Sequence, residues 1–121
     1  MLTDFQTEIG NIIATKAENV KLDEMGVTFD FATEIGVYYN ISDILDLQYK
    51  DDIPLIVTLV GIKEKKIEMQ TLAKEIDSIL HKANLQKGRI VRQNSYYQSF
   101  IDEDNKNNIV LSYFIYNYNK F

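Results

Sequence analysis

The last third of the chain, from Arg89 to Phe121, constrains the fold more than any other stretch. It reads as a long β-hairpin whose second arm, Asn108 to Asn119, carries large side chains on both faces. Successive side chains of a strand point to opposite faces. One face therefore presents Ile109, Leu111, Tyr113 and Ile115, and the other Val110, Phe114, Tyr116 and Tyr118, interrupted by Ser112. Both faces must be covered. A small chain with few helices covers one of them, and the other calls for a neighbouring molecule. Alternation leaves open which face is core and which is contact.

At 121 residues the chain suits a single domain, 1–121, that buries roughly two-thirds of its unfolded surface. With 18 acidic and 13 basic residues the net charge is -5, which does not favour bulk attraction to nucleic acid or an anionic membrane. There is no cysteine. A disulfide framework, a thiolate zinc site and a cysteine nucleophile are excluded, and a reducing compartment fits. The start, MLTDFQTEIGNII, is acidic and broken by polar residues, unlike a signal peptide. No apolar run approaches the roughly 20 residues needed to span a bilayer. The expectation is a soluble protein without a membrane partner.

Thr3 and Gln6 have the spacing of a capping box. Phe5, Ile9, Ile12, Ile13 and Val20 follow at helical intervals, which predicts a helix over about Asp4 to Ala17. Gly10 weakens it by roughly 1 kcal/mol relative to Ala. Val27 to Phe31 and Ile35 to Tyr39 read as short strands, and Asp43 to Asp52 as an acidic loop. Ile53 to Ile62 is the clearest strand, β-branched and continuously apolar, with Pro54 near its start. From Lys65 to Ala83 the period becomes helical: Met69, Leu72, Ala73, Ile76, Ile79, Leu80 and Ala83 form one stripe, and Lys66, Glu68, Lys74, Glu75 and Asp77 occupy the rest. Asp102 to Asn108 is the turn of the final hairpin, rich in residues that suit positive φ and Asx turns. The order predicts an α+β fold: one mostly antiparallel sheet, two main helices packed on one face, and a long C-terminal hairpin.

Little in the chain points to chemistry. His81 is the only histidine, sits near a helix C-terminus beside Lys82, and reads as a solvated cap favoured by the macrodipole. Asp102, Asp104 and Asn108 have part of a calcium-loop spacing, but Asn107 stands where the glycine belongs and Tyr113 where the closing glutamate belongs. The five glycines are scattered without phosphate-loop spacing. These observations point away from an enzyme, and imply no catalytic residue, metal or cofactor. Tyr38, Tyr39, Tyr96, Tyr97, Tyr113, Tyr116 and Tyr118, with Arg89, Arg92 and Lys120, have two readings. One is a packing and contact surface. The alternative is a binding module that stacks single-stranded nucleic acid on a tyrosine-rich sheet.

The order PLIVTLVG, MQTLAKEIDSILHKANL and GRIVRQNSYYQSFIDEDNKNNIVLSYFIYNY resembles small tail-terminator or minor capsid (neck) proteins of long-tailed bacteriophages and phage-tail-like particles. The resemblance covers about Ile53 to Phe121 and rests on residue class and order. It implies a structural virion subunit, assembled in the bacterial cytoplasm, that forms a homo-oligomeric ring, usually a hexamer. Such a ring caps the tail tube and joins it to the head-tail connector, with DNA only as cargo passing through its lumen. The contact residues expected for this chain are Tyr96, Tyr97, Phe100, Tyr113, Tyr116 and Tyr118, with Arg89 and Arg92 as a polar rim. Asp43, Asp46, Asp51, Asp52 and the Asp102 to Asp104 turn are expected to line the lumen, where carboxylates would repel phosphates.

Overall fold

Strand-forming sequence dominates the described residues, and their strands join into one sheet. A computed structural model describes residues 2–22, 25, 34–41, 52–85 and 88–117. Its elements are α1 (Leu2–Ala14), β1 (Val20–Leu22), β2 (Gly36–Ile41), β3 (Asp52–Gly61), a 3-10 turn (Lys63–Lys65), α2 (Lys66–Leu80), β4 (Gly88–Ile101) and β5 (Asn107–Asn117). The sheet order is β1-β2-β3-β5-β4. β1 runs parallel to β2 and every other pairing is antiparallel. The fold is α+β, as the pattern predicts, with β4 and β5 forming the hairpin.

The central strand explains which face became the core. β3 puts Ile53, Leu55, Val57 and Leu59 on one face, all fully buried. Through the register they share that face with Val37 and Tyr39 of β2 and with Ile109, Leu111, Tyr113 and Ile115 of β5. Both helices lie on this side: α1 contributes Phe5, Ile9 and Ile13, and α2 contributes Met69, Ala73, Ile76 and Leu80. Burying a side chain of this size contributes roughly 1.5–3 kcal/mol relative to exposure, so the two-layer core is the main source of stability. Pro54 fits for a specific reason. The β2–β3 ladder ends at the Ile41–Leu55 pair, so the N–H that Pro54 lacks would point past the end of β2.

Several expectations shift. α1 spans Leu2–Ala14, so Thr3 lies inside the helix and not at the position before it that a cap requires. Val20 opens β1 instead of extending the helical stripe. β2 begins at Gly36 and ends at Ile41. Val27 to Phe31 lies outside the described residues, as do Asp43, Asp46, Asp51 and Tyr118. Asp77, expected among the solvated residues of α2, is 6% exposed and faces the sheet.

The hairpin turn has the predicted chemistry. Asp102 N–H donates to the Lys106 carbonyl (2.9 Å), and Asn105 N–H donates to the Asp102 carbonyl (3.0 Å). Asn105 adopts φ 65, the left-handed residue that closes a three-residue hairpin loop. The Asp102 carboxylate accepts from the N–H groups of Asp104 (2.9 Å) and Lys106 (3.0 Å) and from Asn108 Nδ2 (2.8 Å). The Lys106 backbone bond first, then Asn108, hold its pKa below the ordinary 3.8. These bonds make Asp102 the organiser of the turn.

Candidate functional site

The C-terminal hairpin divides its side chains between two surfaces. On the face away from the helices, β5 presents Val110, Ser112 and Phe114, all half-buried, and Tyr116, which is 44% exposed. Arg89 and Val91 of β4 lie opposite Tyr116 and Phe114. β3 adds Ile56, half-buried, and Thr58 and Val60, buried between their neighbours. Both described helices pack on the other side, so among the described residues this apolar face carries no covering layer.

A wide bulge in β4 sorts the rest. Between the Arg92–Tyr113 and Tyr97–Leu111 pairs, β4 advances five residues while β5 moves two. The extra length reverses which residues face the helices. Arg89 and Val91 point away from the helices before the bulge, whereas Gln98 and Phe100 do so after it. Bulges increase local twist and re-aim side chains. Here the bulge brings Tyr96 against the core and places Arg92 over its ring, 4.5 Å from the centroid. Tyr96 and Tyr97 meet edge to face, 6.4 Å apart. Together with Gln70, Lys74, Asp77 and Leu111 they line a cleft of about 220 Å³.

Asp77 holds the base of that cleft. Arg92 binds it with two donors, Nε at 3.0 Å to Oδ1 and Nη2 to Oδ2, and the Tyr113 hydroxyl donates to Oδ1 at 2.7 Å. Burial pushes the Asp77 carboxyl upward, but the bonds from Arg92 and Tyr113 and the Arg92 charge outweigh it, leaving the pKa below 3.8. Burial, then the Asp77 bond, push the Tyr113 phenol well above its ordinary 10.0. A carboxylate held by three donors stays ionised and is already committed, so this cluster ties helix to sheet and offers no free base. His81 is also structural. Its Nδ1 accepts the Arg92 backbone N–H at 3.2 Å, which requires a neutral ring at that nitrogen. Burial first, then the Arg92 charge, lower its pKa from the ordinary 6.5. The solvated cationic cap expected from sequence is replaced by a neutral link between the end of α2 and β4.

The expected contact residues therefore do not form one patch. Arg89 and Tyr116 sit together on the open face, and Phe100, 51% exposed, lies on that face near the far end of β4. Arg92, Tyr96 and Tyr97 cluster on the helix side around the bulge, with Tyr97 42% exposed. Tyr113 is 0% exposed and belongs to the core. It leaves the contact set, because the odd face of β5 is the one that α2 covers. Asp77 was missed as a functional partner of the tyrosines. Its spacing with Met69, Ala73, Ile76 and Leu80 was the available signal.

No family model matches the chain, and no curated protein does. Its fold is similar to that of a chain from the virion of a native gene transfer agent (GTA) particle, with a TM-score of 0.56. That match covers 90% of this chain and 83% of the other at 15% identity, a likeness of fold.

Proposed function

We propose that this chain is a structural subunit of a phage-like virion, working through contacts with neighbouring subunits and without catalysis. The observation that carries the reading is the sheet face bearing Val110, Phe114, Tyr116 and Ile56, apolar and uncovered among the described residues. The fold likeness to a chain of a virion particle supports it. The finer reading is a tail terminator. Head-to-tail contacts close about six copies into a ring, giving each subunit a neighbour for its open face. The ring sits on the tail tube, meets the head-tail connector, and lets DNA pass through its lumen. Its place is the particle itself.

Native mass spectrometry of the purified chain across a range of concentrations tests this, together with addition of assembled tail tubes. A closed ring, alone or on the tube, is the expected result. A chain that stays monomeric in both settings would overturn the ring. Affinity for single-stranded DNA that falls steeply with salt would favour the nucleic-acid module instead.

A further inference from the structure

β4 is the last strand of the sheet, and its two halves treat that edge differently. Along the first half the edge is capped. Ile90 N–H donates to the Ala83 carbonyl (3.0 Å) and its carbonyl accepts from Lys82 N–H (2.7 Å). The Gly88 carbonyl accepts from Leu85 N–H (2.7 Å), and Arg92 N–H is taken by His81. The outward-pointing groups here belong to even-numbered residues. Past the bulge the parity reverses, because the even residues Gln98 and Phe100 now stand opposite Val110 and Asn108. Backbone groups alternate in direction along an antiparallel strand. The N–H and C=O groups of Tyr97, Ser99 and Ile101 therefore point away from β5, and among the described residues no strand lies beyond them.

An open edge is a template for another strand, and proteins commonly blunt it with charge or proline. This edge has neither: Gln93 to Ile101, QNSYYQSFI, is uncharged and free of proline. It also bears Tyr97, Phe100 and Ile101, exposed by 42%, 51% and 54%.

We propose that this edge pairs with the same edge of a second copy, antiparallel about a two-fold axis at Ser99. Three features make the segment complementary to itself. Tyr97 of each copy would face Ile101 of the other on the helix side, so the exposed pair is covered twice. Ser99, with Ser95 the smallest side chain of the segment, sits on the axis, where the same side chain of both copies meets and a bulky one would clash with itself. The segment is preceded by Arg89 and Arg92 and followed by Asp102, Glu103 and Asp104. Antiparallel pairing sets each basic end toward the partner's acidic end, whereas parallel pairing would set like beside like. The contact adds about six backbone hydrogen bonds over a short strand, so the pair is weak and depends on concentration. It goes beyond the ring reading. A two-fold contact cannot by itself build a ring, and it belongs to the free chain.

The absence of cysteine makes the test direct. In the two-fold pair, the Ser99 Cα atoms lie about 5.5 Å apart, within disulfide range. Under mild oxidation Ser99→Cys should give cross-linked dimer at about tenfold the level of Ser78→Cys, whose site is exposed on α2. Adding Ile101→Lys should return it to that level. In wild-type background, Ser99→Pro should abolish the dimer seen by sedimentation at high concentration. Its lost N–H points outward, so pairing with β5 survives. Circular dichroism checks that each variant is folded. If Ser99→Cys cross-links no better than Ser78→Cys, or if Ile101→Lys leaves the yield unchanged, the pairing is wrong. Either result leaves the ring reading untouched, since that reading rests on the open sheet face around Val110, Phe114 and Tyr116 and not on the backbone groups of this edge.

Discussion

A buried carboxylate would ordinarily be a liability at position 77, since an unpartnered charge in the interior is costly. Here Arg92 and Tyr113 supply three donors, and the group joins α2 to both arms of the hairpin. Removing the phenol hydrogen bond to a charged acceptor costs about 2 kcal/mol, so Tyr113→Phe should lower stability by that order in urea denaturation. The pH dependence follows from the lowered Asp77 pKa. A group whose folded value is depressed contributes stability above its unfolded value, here 3.8, and loses it as pH falls through the folded value. With one donor fewer, the depression shrinks and the loss comes earlier. The acid-unfolding midpoint of Tyr113→Phe, followed by circular dichroism, should lie at higher pH than wild type. An unchanged midpoint would mean that Arg92 alone sets the Asp77 pKa.

Among the elements, α1 shows a local preference yielding to packing. Gly10 is a poor helix residue, and Ala there would gain roughly 1 kcal/mol on propensity. A Cβ at that position would lie 2.4 Å from the Tyr39 hydroxyl oxygen, which donates to the Gln6 carbonyl at 2.8 Å. The glycine lets the helix lie against β2 closely enough for that bond. Overpacking typically costs about 1–3 kcal/mol. Gly10→Ala should therefore lower the thermal midpoint, and the same change in a Tyr39→Phe background should be neutral or raise it. Two matching decreases would place the strain elsewhere. The hairpin carries the opposite lesson. Its turn is dictated locally by Asp102 and Asn105, but the bulge from Arg92 to Tyr97 has no local signature. It arises where β4 must stay paired with β5 while Tyr96 reaches the core.

At the scale of the whole molecule, one face of a five-stranded sheet is covered and the other is open among the described residues. Tyr116 is the most exposed aromatic of β5 on the open face, directly across from Arg89. Because it lies outside the core, Tyr116→Asp should leave a folded chain with near-wild-type circular dichroism and a stability change within about 1 kcal/mol. The same change should abolish ring assembly in native mass spectrometry, because it places a carboxylate in an apolar contact. If the variant unfolds, Tyr116 supports the sheet itself and the open face is not the assembly surface.

The sequence by itself determined the α+β class, the central strand, the second helix and the C-terminal hairpin. Each is specified by a period that holds over many residues: the run from Ile53, the stripe from Met69 to Leu80, the alternation from Ile109 to Tyr116. β1 was not legible, because three residues make no period and Val20–Leu22 is a strand only through its pairing with β2. Only the tertiary structure decided which face of β5 became core, since alternation makes the two faces equivalent until the helices settle on one. It alone turned Asp77 inward, because its partners Arg92 and Tyr113 lie 15 and 36 residues away. It alone moved Tyr113 from the contact surface into the core. Local spacing says which side chains travel together, and long-range contacts decide where they go.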